Sequence, residues 1–140
     1  MADIVFEYQV DGSDYHRAGE ASRSTKSNLK KLGFPSDIIR RVGICMYEGE
    51  INMVIHADGG VAKVVIGLED ITIILKDKGP GIPNIDLAMQ EGWSTADAQA
   101  NDLGFGAGMG LPNMKRCSDE MNIDTVVGEG TTVTMKIKTK

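Results

Sequence analysis

Glu48 and Asn52 stand four positions apart, Asp77 heads the run Asp77-Lys78-Gly79-Pro80-Gly81-Ile82-Pro83, and glycines recur at 104, 106, 108 and 110, just ahead of Leu111. Each pattern has a chemistry. On a helix, residues four apart share a face, with about 5–6 Å between Cβ atoms. A carboxylate able to take a proton from a hydroxyl would then lie beside an amide oxygen able to ligate Mg2+, a cation that prefers oxygen and keeps several positions for water and phosphates. An ionised Asp77 only accepts hydrogen bonds, which suits the exocyclic amino group of adenine and opposes the keto oxygen of guanine. Glycines 79 and 81 let a ligand approach bare backbone. Amides ahead of a helix N-terminus form an anion site by geometry and dipole together. Taken singly, the patterns also fit a surface glutamate with a tolerated asparagine, an Asx-type turn closing a strand, and a glycine hinge. Taken together they describe a nucleotide site.

Two commoner phosphate motifs are excluded. No register of the glycine ladder satisfies GxGxxG, and Lys115 follows Met114 where GxxxxGK[ST] needs glycine.

The elements that must carry these residues can be read from periodicity. Ile4–Val10 alternates as an opening strand, closed by Asp11-Gly12-Ser13. From Asp14 to Leu32, Ala18, Ala21, Thr25, Leu29 and Leu32 fall at helical spacing, with Gly33 as a stop. Pro35-Ser36-Asp37 gives an N-cap signal for a second helix over about Asp37–Ala57, ended by Asp58-Gly59-Gly60. That helix holds Glu48 and Asn52, with Glu50 facing elsewhere. Gly49, worth up to about 1 kcal/mol against alanine in a helix, predicts an irregular turn beside Glu48. Val61–Leu68 and Ile71–Asp77 read as a hairpin across Glu69-Asp70. Residues 82–107 read as a functional lid or a disordered loop. A third helix is expected over Gly110–Met121, then a hairpin of Ile123–Val127 and Thr131–Lys138. Met46, Met53, Met114 and Met121 fall at helical spacings and read as core. This order does not alternate strictly, so the expectation is an α+β fold with a mixed or antiparallel sheet and helices on one face.

A chain of 140 residues suits one domain, residues 1–140. Its net charge of −5 argues against a nucleic-acid binder that works by phosphate neutralisation. Cys45 and Cys117 are isolated, which suggests neither zinc nor a disulfide framework and fits a reduced compartment. No apolar run reaches membrane-spanning length and no leader segment is evident, so a soluble cytoplasmic protein is expected.

On these motifs the chain resembles the GHKL ATPase superfamily. Glu48 and Asn52 resemble its N box, Asp77–Gly81 its first glycine box and Gly104–Gly110 its second. Within it, Gly92-Trp93-Ser94-Thr95, the run from Gly106 to Arg116 and Gly128-Glu129-Gly130-Thr131 are similar to the bacterial anti-sigma-factor and switch-protein serine kinases of RsbT, RsbW and SpoIIAB type, nearer to the RsbT branch than to the RsbW branch. The resemblance implies a Bergerat two-layer α/β sandwich with an ATP lid at about residues 82–107. It implies Mg2+ and ATP as cofactors, Glu48 as general base and Asn52 as the Mg2+ ligand. Asn52, Asp77, Gly79, Gly81, Ile82, Gly104, Gly106, Gly108, Gly110, Leu111, Lys115 and Thr131 would bind ATP. Gly106 stands where anti-sigma kinases often carry a basic residue, so Lys115 or Arg116 would supply that charge. The lid also carries an insertion, Ala96–Asp102, and Trp93. His56 reads as a packed histidine and His16 as a helix-surface one.

The activity so implied is a serine/threonine kinase, acting as anti-sigma factor or switch kinase, that phosphorylates a STAS-domain anti-anti-sigma or stressosome-like protein. The alternative is an ATP-gated binding module that sequesters a sigma factor or activates a phosphatase. A homodimer is compatible with either. A histidine kinase is disfavoured, because neither histidine heads a convincing acceptor helix.

Overall fold

The computed structural model describes residues 3–12, 18–57, 59–82, 85, 89 and 110–140, with the backbone alone at His56. Five strands, β1 (Ile4–Asp11), β2 (Gly59–Ile66), β3 (Asp70–Asp77), β4 (Glu120–Val126) and β5 (Gly130–Lys138), form one sheet in the order β1-β2-β3-β5-β4. Every pairing is antiparallel, so of the two sheet types expected the antiparallel one is found. Three helices, α1 (Glu20–Lys31), α2 (Ser36–His56) and α3 (Gly110–Cys117), complete the described elements.

Strand alternation decides which residues meet the helices. Phe6, Val64, Ile73, Met135 and Met121 make one cross-strand row, and Tyr8, Ala62, Leu75, Val133 and Ile123 the next. The helices supply Leu29, Val42, Cys45, Met46, Met53, Val54, Leu111 and Met114 to the same core. α2 lies centrally, packed on β1, β2, β3 and β5 and flanked by α1 and α3.

Several boundaries differ from those the sequence predicts. α3 stops at Cys117 and the chain is already in β4 by Glu120, so Met121 is a half-buried strand residue, not a helical one. Gly59 and Gly60 open β2; they do not merely end α2. The N-cap of α2 is Pro35, extended and without a side-chain cap bond, and Ser36 is already helical. Leu32, expected on the buried face of α1, is 46% exposed. The predicted stop at Gly33 is found: φ is +85°, and Gly33 and Phe34 donate their N–H groups to the carbonyls of Lys30 and Leu29, a Schellman ending. Gly49 does not break α2. A Cβ there would run into the Leu75 side chain, so the missing side chain lets the helix press onto β3.

Candidate functional site

Asp77 occupies the next inward position of β3 after Ile71, Ile73 and Leu75, so its carboxylate lies at the end of the core row, half-buried. Its Oδ1 accepts the N–H of Gly79 at 2.9 Å and the N–H of Thr131, on β5, at 3.1 Å. Both bonds fall on one oxygen, and Oδ2 faces no donor among the described residues. A second layer fixes the turn that follows. Ile82 donates its N–H to Thr125 Oγ1 at 2.9 Å, Thr125 Oγ1 lies 2.9 Å from Thr131 Oγ1, and Gly128 donates its N–H to the Pro80 carbonyl. Gly81 has φ +80°, which places it where a side chain would be strained. The β4–β5 hairpin is thereby stitched to the Asp77 turn.

Glu48 lies on α2 with its carboxylate half-buried. Asn113, on α3, donates its side-chain N–H to Glu48 Oε2 at 3.4 Å, and Arg116 donates to the side-chain oxygen of Asn113, Oδ1, at 2.5 Å. Burial raises the Glu48 pKa above the usual 4.5, and the Asn113 bond works against that rise. A base with a raised pKa competes better for a hydroxyl proton near neutral pH.

α2 joins these two ends. Asn52, half-buried one turn beyond Glu48, abuts the start of α3: a Cβ on Gly110 would sit 2.9 Å from Asn52 Oδ1. Further along, a Cβ on Gly79 would sit 2.6 Å from Ala57, so the Asp77 turn closes against the C-terminal end of α2. At 1.5 Å per residue, Glu48 and Ala57 are about 13 Å apart along the axis.

The remaining expected residues divide as follows. Thr131 is buried and takes part through both backbone and hydroxyl. Leu111 is buried in the core beneath the start of α3. Lys115 is exposed, whereas Arg116 turns back onto Asn113. Gly104, Gly106, Gly108, Trp93, His16 and the insertion at 96–102 lie outside the described residues, as does the expected lid except for Ile82, Ile85 and Met89.

Sequence reasoning missed three residues. Thr125 has no signal of its own beyond lying on a strand. Asn113 sits within the motif run but carries no assigned role. Glu50 is 3% exposed and accepts the N–H groups of Ala21 and Ser22 at 3.1 and 3.2 Å, so it caps α1, whose own N-cap, Gly19, has no side chain to do so.

Residues 38–140 match the family of histidine kinase-, DNA gyrase B-, and HSP90-like ATPases. The chain belongs to this family. It is 34% identical over 122 residues to the serine/threonine-protein kinase RsbT of Bacillus subtilis, covering 81% of this chain and 83% of the relative. It is 27% identical to the anti-sigma F factor of Geobacillus stearothermophilus, covering 77% and 75% of the two chains. Against the anti-sigma F factor of Clostridium acetobutylicum it is 32% identical, with 69% and 68% covered. The two-layer arrangement of helices on an antiparallel sheet is that of the GHKL ATPase fold. No helix among the described residues is long and apolar enough to cross a membrane.

Proposed function

We propose that this chain binds Mg-ATP and transfers a phosphoryl group to a serine or threonine of a STAS-domain regulatory protein. The reading is carried by one observation: α2 aligns a half-buried carboxylate, Glu48, and an amide, Asn52, against the start of α3, while its far end closes against the Asp77 turn. The kinase and anti-sigma names of the relatives support it.

The residues fit the cofactor. Oδ1 of Asp77 is consumed by two backbone donors, which orients Oδ2 to accept from the amino group of adenine. Among the described residues no cluster of three His, Cys, Asp or Glu side chains could form a protein-only metal cage. Asn52, whose amide oxygen lies against the start of α3, would give Mg2+ one oxygen ligand, the mode in which that ion leaves the remaining positions to phosphates and water. When bound, Mg-ATP supplies the electrophilic phosphoryl group. The chain's own work is positional: Glu48 takes the proton from the target hydroxyl, and Gly110 opens α3, whose N-terminal amides suit a phosphate.

A cytoplasmic setting fits such a partner. The anti-sigma names also favour a second reading, an ATP-gated module that holds a sigma factor or phosphatase with little transfer. One experiment separates these. The protein is incubated with γ-labelled Mg-ATP and a purified STAS-domain protein. Acid-stable label on a serine or threonine of the acceptor is the expected result. Acid-labile label on His16 or His56 would make the chain a histidine kinase, and nucleotide binding without transfer would favour the gated module.

A further inference from the structure

We infer that Asn113 is a positioning residue for Glu48, its amide tying the base on α2 to α3, the helix that begins at the last glycine of the ladder, with Arg116 fixing which way the amide points. The inference rests on the kinase reading above and adds to it a residue for which neither the motif nor the spacing of the N box calls.

Glu48 and Asn52 share α2, so their mutual spacing is set by one helix. The spacing between Glu48 and the start of α3 is not, because it depends on how two helices pack. A base works only within about 2.6–3.2 Å of the proton it takes, and a misplacement of about 1 Å can cost on the order of 100-fold in rate. A direct link between the two helices at the base answers that problem. Asn113 lies within the first turn of α3, and its Nδ2 donates to Glu48 Oε2 at 3.4 Å, which leaves Oε1 for the incoming hydroxyl.

The flanking groups decide the orientation of the amide. A carboxylate can only accept and a guanidinium can only donate. With Glu48 on one side and Arg116 donating to Oδ1 on the other, a single orientation of the amide satisfies both neighbours. A flipped amide would set oxygen against carboxylate and NH2 against guanidinium. Arg116 is exposed and so can supply this charge-assisted contact without the cost of a buried cation.

The test is a double-mutant cycle on phosphoryl transfer from Mg-ATP to a purified STAS-domain protein. Asn113→Ala should lower kcat about tenfold while the ATP dissociation constant stays within about twofold, the low end of a hydrogen bond to a charged group. Asn113→Asp, which opposes two carboxylates, should lower kcat further, and Arg116→Ala should lower it by about threefold through loss of orientation. In a Glu48→Gln background Asn113→Ala should cost nothing more, because its effect passes through the base. An active wild type with an Asn113→Ala variant of equal kcat, or with losses that simply multiply, would overturn the role of Asn113 and leave the kinase reading standing. No transfer by the wild type would overturn the kinase reading and this inference with it. A fall in melting temperature that accounts for the lost activity of Asn113→Ala would likewise overturn it, and Arg116→Ala, altered at an exposed side chain, checks that outcome independently.

Discussion

The Asp77 end of the site is held by backbone, and the Glu48 end by a side chain. Asp77 Oδ1 receives one N–H from the turn that follows it and one from β5, and that turn is tied to the β4–β5 hairpin by two more hydrogen bonds. Glu48 is reached by one amide at 3.4 Å from a helix of eight residues. The difference teaches a division of labour. A carboxylate that reads a purine, as proposed for Asp77, must stay fixed against the nearly planar edge of the base, and the sheet's end provides that rigidity. A carboxylate proposed to meet a hydroxyl arriving on another protein needs one oxygen held and the other open, and the single Asn113 bond to Glu48 Oε2 holds the first while leaving Oε1 free.

The largest expected effect tests the reacting end. Glu48→Ala should cut phosphoryl transfer by about 10²–10⁴-fold with the melting temperature and ATP affinity nearly unchanged, because little of the fold is anchored on that side chain. A matching collapse of stability, read by thermal melting, would show that the two ends are equally structural and break the comparison.

Asp77 should behave in the opposite way. Asp77→Asn keeps an acceptor for the Gly79 and Thr131 N–H groups, so the turn persists while ATP weakens by about 10- to 150-fold. Asp77→Ala removes the acceptor itself and should also lower the melting temperature. Calorimetric titration with ATP and GTP decides the point: equal affinities for the two in the wild type would remove Asp77 from purine recognition.

A third variant sharpens the contrast from outside the site. Glu50 is a glutamate like Glu48 and only two positions away, yet it is buried and spent on α1. Glu50→Ala leaves two buried N–H groups without an acceptor and should cost about 2–3 kcal/mol of stability in urea denaturation, with transfer per folded molecule retained. Unchanged stability would mean that α1 needs no cap from α2.

The smallest effect is on pH dependence. Burial raises the Glu48 pKa above 4.5, so the folded state holds that proton more firmly than the unfolded chain does. The associated stability is fully present below the unfolded value and is lost as pH rises through the folded one. Relative to wild type, Glu48→Gln should therefore gain in urea midpoint as pH rises from below 4.5 towards neutrality, the same rise over which wild-type transfer switches on. A midpoint difference that stays flat across this range would argue that the Glu48 carboxylate is freely solvated.

Much of this was legible beforehand, and the illegible parts share a cause. The β3 run ending at Asp77, the Gly33 stop and the glutamate–asparagine pair on α2 all follow from local periodicity and turn chemistry. The role of Gly49 did not, because helix propensity concerns the helix alone, whereas Leu75 of β3 sets the requirement. The early end of α3 was hidden because Asn113 to Met121 contains residues acceptable to a helix, and pairing of Glu120 onward with β5 prevails. Glu50, Asn113 and Thr125 act across 28 to 65 positions of sequence, a range over which spacing carries no signal.

The capping of α1 by Glu50 also bears on timing. α1 has 12 residues and a glycine N-cap that bonds nothing through a side chain, so by itself it is a marginal helix in water. Its first turn is completed by a carboxylate that arrives 28 to 29 residues later in the chain. During synthesis β1 and α1 therefore emerge before the groups that secure them, and they must wait for α2 to form. The N-terminal part of the molecule would then consolidate after the helix that bears the candidate base, so the order of folding runs against the order of the chain.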